Sequence, residues 1–283
     1  MSWCARLTAS SAALVAALVA ALAVAQPAAG PQFGLIGDTP YNAAEVVQLD
    51  RVIAEMNQHP LRFVVHVGDI TAGAGPCDDA WLEARQRQFA QWRAPLVLLP
   101  GDNEWTDCHR HGFDPLERLA KWRQLFCADP ANFPLERQRG PYCEHVRWTF
   151  EGMVFVGLNV PGSNNNLGRT AQADAEHEAR MRAVFDWLDE SAARATRGMV
   201  VLMQANPDFE QSARRKRGVP DGYAALRAKL ATLPRPIVLV HGDTHFFRDD
   251  EPVAGLRRLE VPGSPQTRWV RAIVRPDGAL AFD

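Results

Sequence analysis

The stretch PLVLLPGDNEWTDCHR (residues 95–110) decides how this chain is read. Four apolar residues, Leu96–Leu99, stop at Pro100-Gly101, and Asp102, Asn103, Glu104 and Asp107 then crowd together. The same design recurs along the chain. The apolar runs FGLIGD (33–38), RFVVHVGD (62–69) and PIVLVHGD (236–243) also end in Gly-Asp, giving Gly37-Asp38, Gly68-Asp69 and Gly242-Asp243 beside Gly101-Asp102. A further run, MVVLMQAN (199–206), ends in Gln204-Ala205-Asn206-Pro207. One Gly-Asp is ordinary turn chemistry; four of them, each closing a strand-like run, point to a shared site. Glycine lets the backbone turn sharply and another group come close, and the Asp after it then points into the crevice.

Between these runs lie segments of helical period. Val46, Leu49, Ile53 and Met56 mark one apolar face, Leu82, Arg85, Phe89 and Trp92 a second, and Met181, Val184, Phe185 and Leu188 a third. MVFVGLNV (153–160) reads as another strand, and WTFEG (148–152) and RWVRAIVRP (268–276) as more alternating ones. Strands alternating with helices predict an α/β architecture. In such folds ligands gather at the carboxyl ends of the strands, where the Gly-Asp pairs fall.

The bulk composition sets the frame. Of 283 residues, 47% are hydrophobic, enough for a large core, and a formal net charge of −2 gives no footing for a nucleic-acid partner. Arg6, the apolar run Ala12–Val24 and Ala23-Val24-Ala25 before Gln26-Pro27 read as a signal peptide over residues 1–25. That run is short of the roughly 20 residues a membrane span needs. The expectation is therefore an exported protein, periplasmic or secreted, with a single domain over 26–283 and no membrane span once the signal is removed. The four cysteines of that domain, Cys77, Cys108, Cys127 and Cys143, lack zinc spacing and suit an oxidising compartment. Three pairings exist on paper. Cys77 and Cys108 each follow a strand-ending Gly-Asp closely, so Cys77–Cys108 with Cys127–Cys143 is the expected set.

Four converging carboxylates repel one another unless some stay protonated or cations balance them. A pair of divalent cations would do so, and Asp and Asn oxygens with an imidazole are normal ligands for such ions.

The order GD, VGDI, PGDNE, a polar residue before Pro, and HGDTH resembles the calcineurin-like metallophosphoesterases over most of residues 33–247. Their pattern is D-x-H, G-D-x-x-D, G-N-H-E/D, a later His, and G-H-x-H. The resemblance implies a four-layer αββα sandwich, two mixed β-sheets flanked by helices, with two metals at the strand ends. It implies hydrolysis of phosphate mono- or diesters of small molecules by a two-metal hydroxide mechanism. Asp38 matches the first Asp, Asp69 the Asp that bridges both metals, and His245 the second His of G-H-x-H. Asp102 stands where the family has Asn, and Asp243 where it has the first His of G-H-x-H. Pro40 replaces the His of D-x-H, Asn103 the His of G-N-H, and Gln204 or Asn206 the isolated later His. One site would take Asp38, Asp69 and His245, and the other Asp69, Asp102, Asp243 and Gln204 or Asn206.

Nitrogen ligands are lost and carboxylates gained, which favours two hard ions, Mn²⁺, Mg²⁺ or Ca²⁺, over Zn²⁺, with iron also admitted. Asn103 falls on the family's leaving-group His and, with Asp69, makes the expected catalytic pair. An amide donates a hydrogen bond but no proton, and loss of a general acid costs about 10²–10⁴ in rate. His109 or His111 could fold back as the substitute. GSNNN (162–166) offers Asn164 and Asn165 to substrate oxygens, and Arg169 could clamp a phosphate. RRKR (214–217) reads as a charged loop, and His66 and His241 as core histidines behind the Gly-Asp turns. Two other readings stand beside the hydrolase: a non-catalytic metal-binding protein on the same fold, and a hydrolase of a non-phosphate substrate.

Overall fold

The computed structural model describes residues 30–210 and 218–283. The expected signal segment and RRKR lie outside the described residues.

The apolar runs form strands where expected: β1 (Gln32–Ile36), β2 (Leu61–His66), β3 (Leu96–Leu98), β5 (Val146–Phe150), β6 (Met153–Gly157), β7 (Met199–Leu202), β8 (Ile237–His241) and β11 (Val270–Val274). Four shorter or more polar strands complete the set: β4 (Glu136–Arg137), β9 (Arg248–Val253), β10 (Leu256–Glu260) and β12 (Leu280–Phe282). They build a five-stranded sheet in the order β12-β11-β1-β2-β3 and a seven-stranded sheet in the order β4-β5-β6-β7-β8-β10-β9. Both are mixed. In the first, β1, β2 and β3 run parallel and β11 is antiparallel to β1. In the second, β6, β7, β8 and β10 run parallel, with antiparallel β5 and β9 outside them.

Strand periodicity sorts the core into three apolar layers. Phe33, Leu35, Phe63 and Val65 on the first sheet pack against Phe155, Val200, Leu202, Val238 and Val240 on the second. The alternate residues face helices. Ile36 and Val64 pack with Leu49 and Ile53 of α1 (Ala43–Met56), Leu82 and Phe89 of α2 (Asp79–Phe89) and Trp122 of α3 (Pro115–Phe126). Val154, Val156, Val201 and Leu239 pack with Val184 and Leu188 of α5 (Ala171–Ala192) and Leu226 and Leu230 of α6 (Ala224–Thr232). A single turn, α4 (Gly162–Asn165), precedes α5. Each sheet is thus apolar on both faces, which is why these strands read as continuous apolar runs rather than alternating ones. The layers are helices, sheet, sheet, helices: the four-layer sandwich that the resemblance implied.

Both expected disulfides are present. Cys77 is bonded to Cys108 and Cys127 to Cys143.

Candidate metal centre

The four Gly-Asp pairs close β1, β2, β3 and β8, so the two sheets deliver Asp38, Asp69, Asp102 and Asp243 to one end of the sandwich. Asp38, Asp69 and Asp102 are at most 6% exposed. Asp38, Asp69 and Asp243 hold left-handed backbone conformations, with φ of 52°, 60° and 80°. Strain of this kind costs about 1–2 kcal/mol per residue and persists where surroundings enforce it, as at functional sites. The glycines have a further use here. A Cβ on Gly101 would fall 2.0 Å from Asp69 Oδ1, and one on Gly242 2.0 Å from Asp38 Oδ2. Each glycine makes room for the carboxylate of another strand end.

Burial and mutual repulsion act on these acids together. Burial first, then the charges of Asp243 and Asp102, push the Asp38 carboxyl well above its usual range. Asp69 is raised by burial, then by Asp102 and Glu104, and Asp243 reaches about 8 through burial and Asp102. Asp102 repels Asp38, Asp69, Asp107 and Asp243 alike, which puts its charge at the centre of the cluster. Positive charge is scarce nearby. Arg110 pairs with Asp107 at 2.7 Å. His245 Nε2 lies 3.7 Å from Asp38 Oδ1, but burial lowers the pKa of that imidazole and favours its neutral form.

Hydrogen bonding sets apart what each side chain can offer. His245 Nδ1 lies 2.8 Å from the Ser264 carbonyl, an acceptor, so Nδ1 carries the proton and Nε2 presents a lone pair. That is the usual arrangement of a metal-binding imidazole. Asp38 Oδ2 is buried and accepts no hydrogen bond. Asp69 is the opposite case. Its Oδ2 accepts from the Tyr41 hydroxyl at 3.0 Å, Asn103 Nδ2 at 2.9 Å and Gln204 Nε2 at 3.1 Å, while Oδ1 accepts from the Asn103 backbone N–H at 3.1 Å.

Several expectations are corrected by this geometry. Asn103 spends both amide hydrogens, on Asp69 Oδ2 and on the Thr71 carbonyl at 2.9 Å, so it has none to offer a leaving group. The Gln204 carbonyl oxygen accepts from the Gly162 N–H, so the amide nitrogen faces inward and Gln204 gives the site a donor rather than a ligand atom. Asn206 sits at the rim, where its backbone N–H caps Asp243 Oδ2 at 2.9 Å and its side chain accepts from Asp208 N–H. Asn165 is fully buried, with Oδ1 on Arg180 Nη1 at 2.7 Å and Nδ2 on the Gly222 carbonyl, out of reach of any substrate. Asn164 ties its own turn to Leu167, Pro220 and Gly222. Ser163 to Asn166 all have φ between 49° and 64°, a conformation Asn tolerates better than most residues. Asn164 also lines both cavities that flank the cluster.

Sequence reading missed Tyr41 and Ser163 as members of the site and gave no role to Glu104 and Asp107, which it saw crowding beside Asp102. Tyr41 is placed by Glu45, which accepts from Tyr41 N–H at 2.9 Å and from Ser264 Oγ at 2.7 Å, and its hydroxyl lies 3.1 Å from His245 Nε2. Glu104 accepts from the N–H groups of Gly101, Asp69 and Ile70, tying two Gly-Asp turns together, and burial lifts its pKa to about 7. Ser163 Oγ lies 2.7 Å from both Asp102 Oδ2 and Asp107 Oδ1. One hydroxyl hydrogen cannot serve both, and burial with the charge of Asp102 raises Asp107 to about 7. His66 links loops: its Nδ1 accepts from Gly68 N–H, so Nε2–H donates to the Thr39 carbonyl at 2.8 Å. His241 is buried beside its own turn.

Two cavities flank the cluster. One of about 500 Å³ is lined by Asp107, His109, Arg110, Ser163 and Arg169. The other, about 440 Å³, is lined by Asp243, Asp208, Asp221, Arg248 and Phe246.

The donor set fits a hard, hydrated cation and not a closed metal cage. Among the described residues, the carboxylate and imidazole donors of this cluster do not gather in threes within 4.8 Å. The set that does, Cys127, Cys143 and Glu144, includes a disulfide and is no ligand group. Zn²⁺ requires tight convergence, whereas Mg²⁺ keeps several waters and binds through one or two carboxylates. The bare Asp38 Oδ2, the repelling charges of Asp102 and Asp243 and the His245 lone pair suit such an ion. The occupied oxygens of Asp69 do not suit a metal bridge.

No protein-family model matches this sequence, and no curated protein matches it. Solved structures do. A dimetal phosphatase from Danio rerio superposes with a TM-score of 0.52 at 12% identity, over 90% of this chain and 98% of that one. A putative 5'-nucleotidase from Staphylococcus aureus gives 0.50 at 13% identity over 90% of this chain, and a 5'-nucleotidase precursor from Thermus thermophilus gives 0.50 at 14% over 89%. This chain spans about half of each nucleotidase, 53% of its length. The fold is that of the calcineurin-like metallophosphoesterases. On that fold, this chain carries an aspartate-rich cluster at the strand ends.

Proposed function

We propose that this chain is an exported, divalent-cation-dependent hydrolase of phosphate mono- or diesters. The observation that carries the reading is the convergence of buried Asp38 and Asp102 with half-buried Asp243, short of counter-charge, at the strand ends of a metallophosphoesterase fold. Two disulfides agree with an oxidising compartment.

Asp38 would hold the cation directly, and Asp102, Asp243 and His245 would face its water shell. When bound it supplies a Lewis acid for phosphoryl oxygens and lowers the pKa of water. The remaining work falls to the chain. Arg110 and Arg169 line the larger cavity beside Asp107 and can receive phosphoryl oxygens through planar guanidinium N–H groups. Arg169 is steadied by Asn166 Oδ1 at 3.2 Å. His109 replaces Asn103 as the proton carrier for the leaving group: its Nδ1–H is committed to the Thr106 carbonyl at 2.7 Å, so the imidazolium form would donate from Nε2.

The test is hydrolysis of aryl phosphate mono- and diesters with Mn²⁺ or Mg²⁺ added, comparing wild type with Asp38→Asn and Arg169→Ala. Turnover lost in Asp38→Asn and a raised KM in Arg169→Ala are expected. Cation binding without turnover of any phosphoester would overturn the reading.

A further inference from the structure

We infer that Asp69 bridges no metals, and that the cluster takes a single hydrated divalent cation at the bare Asp38 carboxylate oxygen. The inference rests on the hydrolase reading for its purpose, and on hydrogen-bond geometry for its content.

A carboxylate oxygen has two lone pairs in its plane, and a bridge between two metals uses lone pairs of the shared carboxylate. Asp69 Oδ2 already meets two committed amide donors, Asn103 Nδ2 at 2.9 Å and Gln204 Nε2 at 3.1 Å, and at 3.0 Å the Tyr41 hydroxyl, whose one hydrogen it shares with the His245 Nε2 lone pair. These donors come from three directions: the loop after β1, the loop after β3 and the end of β7. Their orientation follows from their other partners. Thr71 O can only accept, so Asn103 must present its nitrogen; Gly162 N–H can only donate, so Gln204 must present its carbonyl there and its nitrogen to Asp69. Flipping either amide to offer an oxygen would set two acceptors, or two donors, against each other at both ends. Tyr41 is held by Glu45. Hydrogen bonds of this kind satisfy a buried carboxyl oxygen without a metal. A shell of neutral donors therefore stands around Asp69 where a bridged pair would need open lone pairs, and the unpartnered oxygen lies on Asp38.

The experiment strips the purified chain with EDTA, equilibrates it with excess Mn²⁺ in the absence of substrate, and measures metal per chain. One equivalent is expected, retained in Tyr41→Phe and Gln204→Met and lost in Asp38→Asn. Circular dichroism confirms folding of each variant. Two equivalents in the wild type, or loss of metal in Gln204→Met, would overturn the inference while leaving the hydrolase reading standing. Zero equivalents would remove the cation site itself. One equivalent without phosphoester turnover would sink the hydrolase reading alone.

Discussion

Gly242 leaves the space that Asp38 fills: a side-chain carbon on Gly242 would fall 2.0 Å from Asp38 Oδ2, the buried oxygen that accepts no hydrogen bond. The contact joins the end of β8 in one sheet to the end of β1 in the other. Gly242→Ala must therefore push the Asp38 carboxylate aside or separate the strand ends. Overpacking of this order costs about 1–3 kcal/mol. A lowered thermal midpoint together with weakened Mn²⁺ binding is expected; unchanged values of both would show that the carboxylate has room to move.

Tyr41→Phe removes a hydroxyl that donates to Asp69 and leaves the ring in place. A buried acceptor that loses a donor is destabilised by about 1–3 kcal/mol. Urea unfolding of the two proteins measures this directly, and an effect below a few tenths of a kcal/mol would mean that Asp69 does not depend on Tyr41.

Stability of the metal-stripped protein should fall as pH rises. The folded-state pKa of Asp243 is raised from 3.8 to about 8, and Asp38 and Asp69 move in the same direction. A raised carboxyl binds its proton more tightly when folded. Its contribution is full below the unfolded value and is lost as pH climbs through the folded one. Between pH 4 and 8 the EDTA-treated protein should therefore melt at progressively lower temperature, and Mn²⁺ should reverse much of the loss at the upper end. A stripped protein that becomes more stable over that window would contradict the repulsive cluster.

The Cys77–Cys108 bond closes a segment spanning 31 residues and fastens the loop after β3, which carries Asp102 and Asn103, to the chain following Asp69. Replacing both cysteines by serine should cost about 2–4 kcal/mol through the freer unfolded chain. Cation affinity should drop as well, because Asp102 loses its anchor. Isothermal titration with Mn²⁺ separates the two effects: a stability loss with unchanged affinity would confine the disulfide to the scaffold.

Much of this molecule is written in its one-dimensional pattern. Apolar runs of strand length, helical periods between them and the Gly-Asp pairs at their ends are local properties, and they located the main strands, three of the flanking helices and the four aspartates. Strands such as β9 (RDDEPV) and β4 (ER) lack an apolar run because they lie at the edges of their sheet, where one flank is solvated.

Tertiary structure decided the rest, for a physical reason. What an Asn or Gln gives a site depends on which of its two ends faces inward, and that is set by partners far away in sequence: Gly162 for Gln204, Thr71 for Asn103. Tyr41 carries no signal of its own, since its role comes from meeting Asp69, 28 residues on, and His245, 204 residues on. The sequence alone determined that carboxylates would gather at the strand ends. Only packing decided that Asp69 would be surrounded by hydrogen-bond donors while Asp38 kept an oxygen bare.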